Sequence, residues 1–127
     1  MRKLKAAVIG TGFMGEAHAE ALRRLPYVEV AAVVSRANGK EKAARLGAGA
    51  AFGDYREMID VCRPDCVHIC TPNHLHMEIA LYALSRGIHV ICEKPMALNA
   101  EEAGKMREAA KKSGLVHAVN FHNWYYP

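Results

Sequence analysis

The chain has 127 residues, of which 51% are hydrophobic, 24% charged and only 7% aromatic, a composition typical of one globular domain. Its net charge of +4 at pH 7 suits an anionic ligand, but the basic residues are scattered and not interleaved with aromatic ones, which argues against a nucleic-acid partner. No run of 18 apolar residues and no secretory signal pattern is present, so we expect no membrane span and a cytoplasmic protein.

Short apolar runs alternate with amphipathic stretches along the whole chain. The predicted strands cover residues 4–9, 28–34, 50–52, 67–70, 88–92 and 116–119. The predicted helices cover residues 14–25, 38–47, 73–86 and 99–114, and a further brief helix is predicted to start at Asp54 with Glu57. Strands that are apolar on both faces indicate a parallel sheet covered by helices on each side. We therefore predict a doubly wound α/β domain with six strands.

Polar residues mark the starts of several predicted helices. Asn38 with Glu41, and Asn99 with Glu102, have the spacing of a capping box. Asn73 is expected to cap the helix that follows the fourth strand. Four cysteines, at positions 62, 66, 70 and 92, have neither zinc-site nor disulfide spacing, so we expect reduced, buried thiols.

The segment VIGTGFMG places three glycines in the pattern G-x-G-x-x-G directly after the first strand and at the start of a helix. This context is typical of a dinucleotide-binding turn. Gly10 would permit the tight turn, Gly12 would let the backbone approach a pyrophosphate, and Gly15 would let helix and strand pack closely. The residues of this turn predicted to bind the cofactor are Gly10, Thr11, Gly12, Phe13, Met14 and Gly15.

The second strand ends at Ser35-Arg36, where dinucleotide-binding domains specific for NAD carry an acid that holds the ribose 2′-hydroxyl. A hydroxyl and a guanidinium can bind a 2′-phosphate, so we favour NADP over NAD. Two alternatives stay open. Arg36 can stack on adenine without demanding the extra phosphate, or it can be a solvated residue of a turn.

The fourth and fifth strands end in polar residues that should reach the same edge of the sheet as the glycine turn. Lys94 is the candidate catalytic residue, either as a partly desolvated proton-transfer group or as a charged donor to a substrate hydroxyl. The histidines at positions 74 and 76 do not share a helical face, so we expect no metal site; His76 would face the nicotinamide ribose or cap the helix. The further cofactor-binding residues predicted at these ends are Cys70, Thr71, Pro72, Asn73, His76, Glu93, Lys94 and Pro95.

Three motifs in order, VIGTGFMG, CTPNHLH and CEKPMALN, resemble the N-terminal domain of the Gfo/Idh/MocA oxidoreductases. The resemblance covers essentially the whole chain and implies an NAD(P)-binding Rossmann domain over residues 1–127, with a core at about 3–120. It implies that residues 121–127 begin the connection to a second α/β domain, which holds the substrate and commonly forms the oligomer interface. The implied activity is hydride transfer between nicotinamide and a hydroxyl or ketone of a sugar, cyclitol or related polyol.

The resemblance also implies roles for single residues. Lys94 would be the catalytic or substrate-orienting lysine, Glu93 would contact the cofactor end of the site, and Pro95 would be a cis-proline. Asn120 keeps the polar character expected after the sixth strand and is included among the cofactor-binding residues. Trp124 stands where the family often has an arginine, so the substrate-side role of that arginine has no counterpart here.

Two other functions remain alternatives at this point. A dinucleotide-sensing module without catalysis would share the glycine turn but would not need Lys94 at the hydride-transfer edge. An S-adenosylmethionine methyltransferase also has a glycine-rich first turn, yet it favours an acid after the second strand, where this chain has Ser35-Arg36. We expect the domain alone to bind a dinucleotide with little turnover, because hydride transfer requires a substrate held against the nicotinamide.

Overall fold

A computed structural model describes residues 1–127 as one six-stranded parallel sheet with five α-helices. The strands are β1 (Leu4–Ile9), β2 (Val28–Val34), β3 (Ala50–Phe52), β4 (Cys66–Ile69), β5 (His89–Glu93) and β6 (His117–Asn120). The helices are α1 (Phe13–Arg23), α2 (Gly39–Leu46), α3 (Tyr55–Cys62), α4 (His76–Ser85) and α5 (Ala100–Ser113). None of these helices combines the length and the apolar character needed to cross a membrane.

The strand order is β3-β2-β1-β4-β5-β6, and all neighbouring strands run parallel. The order therefore reverses between β1 and β4, and the doubly wound fold predicted from the sequence is confirmed. In such sheets a ligand binds beyond the carboxyl ends of the strands, at the point of reversal. We call these carboxyl ends the strand tips.

Alternate residues of the strands fill two separate cores. On one face Ala6 and Val8 pack with α1 and α2, and the cluster includes Leu22 and Leu46. The opposite face holds the larger cluster under α3, α4 and α5, with Ile9 among its members. Both faces of β1 are thus buried, which explains its uninterrupted apolar sequence.

Several element boundaries differ from the prediction. The strand β4 ends at Ile69, so Cys70 lies beyond it, whereas β5 extends to Glu93 and pairs there with Asn120. The segment Asn73–Leu75 is a 3-10 turn that precedes α4. The predicted cap at Asn73 was wrong, because its side chain makes no capping hydrogen bond.

The two predicted capping boxes have opposite outcomes. Asn99 accepts a hydrogen bond from the Glu102 amide at 2.9 Å, and the Glu102 carboxylate accepts from the Leu98 amide at 3.1 Å. The box predicted at Asn38 was wrong: this residue has φ 55°, in the left-handed region, and its side chain caps nothing. A left-handed residue does not have the extended backbone from which an N-cap side chain reaches the first turn.

Candidate active site

The glycine turn between β1 and α1 is packed too tightly for side chains at two of its three glycines. Gly10 has φ 95°, and a Cβ there would lie 2.5 Å from the Cys70 carbonyl oxygen. A Cβ on Gly15 would lie 1.9 Å from the Gly10 carbonyl oxygen. Gly12 has open space in front of it and begins α1 without a side-chain cap. The first amides of α1 consequently remain free to bind an anion.

A cleft of about 520 Å³ opens beside this turn at the tips of β1, β2 and β4. Eight of the predicted cofactor residues line it: Gly10, Thr11, Gly12, Ser35, Arg36, Cys70, Thr71 and Pro72. Sequence reasoning missed the other ten of the 18 lining residues, and Lys42, Tyr55 and Arg56 are among them. A second groove of about 630 Å³ runs along α5 and the edge strand β6, but it contains none of the predicted cofactor residues.

Ser35 has no free hydrogen-bonding proton for a ligand. Its buried hydroxyl donates to the Ala37 carbonyl at 2.8 Å and accepts from the Thr11 hydroxyl at 2.9 Å. It also accepts from the Lys42 ammonium at 3.2 Å. The direct phosphate contact expected of Ser35 is therefore replaced by an indirect role, in which Ser35 places Lys42 at the cleft beside the exposed Arg36.

Tyr55 and Arg56 form the far wall of the cleft, at the start of α3. The guanidinium of Arg56 lies over the Tyr55 ring, 4.6 Å from its centroid, and donates to Glu78 at 2.8 Å. The Tyr55 hydroxyl is buried and has no partner. Burial, with a smaller contribution from the charge of Glu78, raises the pKa of Tyr55 to about 12, so the ring offers a neutral phenol and a flat face.

The tips of β4 and β5 are joined by His76, the first residue of α4. This side chain is fully buried, and its Nδ1 lies 2.8 Å from the Pro95 carbonyl oxygen. Its Nε2 lies 3.1 Å from the Thr71 carbonyl oxygen. A side chain without exposed surface cannot touch a cofactor, so the contact expected of His76 was wrong and the ring instead connects the two tips.

Lys94 and Pro95 lie at the exposed tip of β5, and the peptide bond between them is cis, as the resemblance implied. Lys94 is exposed, and its ammonium makes no hydrogen bond or ion pair within the domain. The partial desolvation expected beside a nicotinamide stays a prediction. Neither residue lines the 520 Å³ cleft, because β4 stands between β1 and β5. Phe13, Met14, Gly15, Asn73, Glu93 and Asn120 also lie outside the cleft lining.

Glu93 is buried and belongs to a polar cluster beneath the tips of β4, β5 and β6. Its Oε1 accepts from His18 Nε2 at 2.7 Å and from the Asn120 amide at 2.5 Å. Its Oε2 accepts from the Lys94 backbone amide at 3.2 Å. His18 Nδ1 in turn lies 2.9 Å from His68 Nδ1. We call these residues, His18, His68, Glu93 and Asn120, the Glu93 cluster.

The Glu93 cluster changes the interpretation of four residues. Glu93 has only 5% of its surface exposed, and Asn120 donates to the same carboxylate. The cofactor contacts expected of these two residues stay predictions. His18 and His68 had no predicted role, and no local pattern indicates one, because their partners are 50 and 75 residues away in sequence. The only sequence signal of these two histidines is that each is a polar residue, His18 on an otherwise apolar helix face and His68 in an otherwise apolar strand.

The cysteines near this edge are unreactive thiols. All four cysteines are free, but only Cys92 is buried, so the burial expected of Cys62, Cys66 and Cys70 is only partial. Burial, followed by the negative charge of Glu93, raises the pKa of Cys70 and of Cys92 to about 12, so no thiolate nucleophile is available there. No group of three histidine, cysteine, aspartate or glutamate side chains has an arrangement that could hold a metal ion.

Comparison with known proteins gives a consistent assignment. Residues 4–121 match the oxidoreductase family with an NAD-binding Rossmann fold, Gfo/Idh/MocA. Levoglucosan dehydrogenase of Pseudarthrobacter phenanthrenivorans is 40% identical over 95% of the chain and 34% of its own length. An NADP(+)-dependent scyllo-inositol 2-dehydrogenase of Bacillus subtilis is 37% identical over 89% of the chain and 35% of its own length.

A solved structure of levoglucosan dehydrogenase in complex with NADH has a TM-score of 0.89 and 37% identity. The match covers 94% of the chain and 35% of that structure. The chain thus spans about a third of the length of these relatives. The glycine turn, the order of the strands and the matched residues lead to one conclusion: the chain belongs to the Gfo/Idh/MocA oxidoreductase family and is its NAD-binding Rossmann domain.

Proposed function

We propose that the domain holds NADP across the strand tips and presents it, in a whole protein with a second domain, to a sugar, cyclitol or related polyol. The observation that carries this proposal is the cleft itself, where an uncapped helix start and a cationic wall meet. The pyrophosphate would lie against the glycine turn, where Gly12 leaves room for it and the free amides of α1 face it. Relatives named as levoglucosan and inositol dehydrogenases support the substrate class.

The preference for NADP rests on the charges beside the tip of β2. Three cations line the cleft, Arg36, Lys42 and Arg56. Asp54 also lines it, but its carboxylate is occupied as the cap of α3, accepting from the Arg56 amide at 2.7 Å. A 2′-phosphate placed here would meet guanidinium and ammonium groups. One relative is named for NADP(+) and another was solved with NADH, so the preference is part of this proposal.

The adenine would lie against Tyr55 on the far side of the same cleft. The ring is part of the cleft lining and offers a flat apolar face, which fits the adenine of a dinucleotide.

The nicotinamide half would extend towards the tips of β4 and β5, where Lys94 is the proposed catalytic residue. When bound, the nicotinamide supplies the hydride acceptor or donor. The exposed ammonium of Lys94 is free to donate a hydrogen bond to the substrate oxygen or to exchange a proton with it. Glu93 holds the Lys94 backbone amide and thereby its position at the tip.

Three further points belong to the proposal. Turnover by the domain alone should be small, since nothing in it holds a substrate against the nicotinamide. The whole protein would be a homo-oligomer assembled through the second domain. The free thiols fit a reducing compartment such as the cytoplasm. A dinucleotide-sensing module without catalysis is the alternative, but it gives no reason for the unpaired Lys94.

Calorimetric titration with NADPH, NADH and S-adenosylmethionine tests the proposal. We expect NADPH to bind most tightly, NADH more weakly and S-adenosylmethionine not at all. Arg36→Ala should weaken NADPH more than NADH. Binding of S-adenosylmethionine without dinucleotide binding would overturn the proposed function, whereas equal losses for both dinucleotides in Arg36→Ala would remove only the 2′-phosphate role of Arg36.

A further inference from the structure

The Glu93 cluster joins four elements of the fold beneath the nicotinamide side of the edge. His18 comes from α1, the helix whose start faces the glycine turn, and His68 comes from β4. Glu93 and Asn120 are the last residues of β5 and β6 and pair with each other in the sheet. None of the functions assigned above explains why two histidines and a carboxylate are buried together here.

The hydrogen bonds of the cluster fix where its protons lie. The two Nδ1 atoms 2.9 Å apart share one proton, and His18 Nε2 must carry another to donate to Glu93. We assign the first proton to His68 Nδ1, because His68 Nε2 is buried without a partner. A bare lone pair is tolerated there more easily than an N–H that lacks an acceptor. Both imidazole rings are then neutral.

The cluster consequently carries the single negative charge of Glu93. Burial acts to raise the pKa of this carboxyl, but the hydrogen bonds from Asn120 and His18 together hold it below the ordinary value. Burial is the main cause that lowers the pKa of His68 to about 4, which agrees with a neutral His68 ring. No lysine or arginine forms an ion pair with Glu93.

The position of this charge relative to a bound dinucleotide follows from the strand order. The cleft at the tips of β1, β2 and β4 takes the adenosine half, so the other half must extend over the tips of β4 and β5. Glu93 lies directly below the tip of β5. A charge in this partly desolvated position acts on its surroundings far more strongly than an exposed one.

We propose that the Glu93 cluster stabilises the oxidised, cationic nicotinamide of the bound cofactor relative to the reduced, neutral one. This inference rests on the proposed function, since it requires that the domain bind the dinucleotide. Glu93 acts through its charge and not by contact, in keeping with its burial. The cluster thereby sets the balance between the two redox forms, and the neutral histidines hold the carboxylate in place without cancelling its charge.

The test measures the ratio of the dissociation constants of NADPH and NADP⁺ for wild-type and variant domains by calorimetric titration. Glu93→Gln keeps an oxygen acceptor but removes the charge, and we expect NADP⁺ to weaken relative to NADPH on the order of ten-fold. His18→Gln keeps the charge and the donor to Glu93, so it should leave the ratio unchanged even where it lowers stability. Asp60→Asn removes an exposed carboxylate on α3, away from the strand tips, and should also leave the ratio unchanged.

A second variant covers the case in which Glu93→Gln does not fold. Asn120→Lys places an ammonium against the same carboxylate, and the ratio should shift in the same direction. An unchanged ratio in the folded charge variants would overturn the inference while the proposed function stands. Failure of the wild-type domain to bind either redox form would instead refute the proposed function, and the inference with it.

Discussion

The two halves of the strand-tip edge are built in opposite ways. The side of β1 and β2 is an open cleft with Arg36, Lys42 and Arg56 in its wall, and most of its residues lie in short sequence motifs. The side of β4, β5 and β6 is closed from below by buried polar side chains that come from four separate elements. The first half recognises a ligand by surface contact, whereas the second half orients one exposed lysine from beneath.

The largest expected effect tests how far the glycine turn of the open half depends on close packing. Gly15→Ala should lower the free energy of unfolding by about 3 kcal/mol or more, because the new methyl group would overlap the Gly10 carbonyl. Gly12→Ala is the matched control: its Cβ meets nothing, so stability should change by less than about 1 kcal/mol. Its NADPH affinity should nevertheless fall at least about ten-fold, because the methyl group occupies the pyrophosphate approach. Urea unfolding and calorimetry measure the two effects, and equal stabilities of the two variants would contradict the packing argument.

The second prediction concerns the pH dependence of the free energy of unfolding, which depends on the buried side chains beneath the tips of β4, β5 and β6. The pKa of His68 is about 4 in the folded domain and about 6.5 in the unfolded chain. Between these two pH values the unfolded chain therefore binds a proton at His68 that the folded domain does not bind. The resulting stability is complete above pH 6.5 and is lost as the pH falls towards 4, by about 3 kcal/mol.

Urea unfolding between pH 7.5 and 4 should show this loss in the wild-type domain and a much smaller one in His68→Asn. Asparagine keeps a donor towards His18 but cannot take up a proton. His74→Asn changes an exposed histidine and should retain the full pH dependence. Parallel profiles for the wild-type domain and His68→Asn would mean that His68 is not the group that titrates.

A smaller effect is expected on NADPH affinity and tests the role of Lys42 in the open cleft. Lys42→Ala should reduce the affinity for NADPH on the order of ten-fold and that for NADH much less, since only NADPH carries the 2′-phosphate. Lys40→Ala removes the same charge from the same helix but lies outside the cleft. Calorimetry should find the two affinities unchanged in this control. If Lys40→Ala and Lys42→Ala behave alike, the effect is one of net charge and not of position.

The smallest expected effect is on stability and concerns the helix N-termini that follow the tips of β4 and β5. Asn99→Ala should destabilise the domain by about 1 kcal/mol, because its side chain caps α5. Asn73→Ala should leave the stability unchanged, as this side chain caps nothing. Thermal unfolding resolves the two, and a loss of stability at Asn73 would count against the observed 3-10 turn.

The sequence allowed the open half to be predicted well and the closed half poorly, for a physical reason. Strand polarity, the glycine spacing and Ser35-Arg36 are local patterns whose meaning depends on neighbouring residues. They and the polar end of β4 identified eight of the 18 residues that line the cleft. Lys42 was missed because its role depends on where the Ser35 hydroxyl points. His18 and His68 were missed because their partners are distant in sequence, and a buried histidine has no signature in an apolar stretch. His76 was recognised as important, but its burial could not be inferred from the motif.

The ring of His76 has a mechanical consequence for the two halves. It spans the carbonyls of Thr71 and Pro95 from inside the protein, so the peptide that borders the dinucleotide cleft and the peptide that follows the amine are braced against one another. We expect that a displacement of the first peptide on ligand binding is passed to the second through this ring. Binding of the nucleotide and alignment of the Lys94 ammonium would then be coupled.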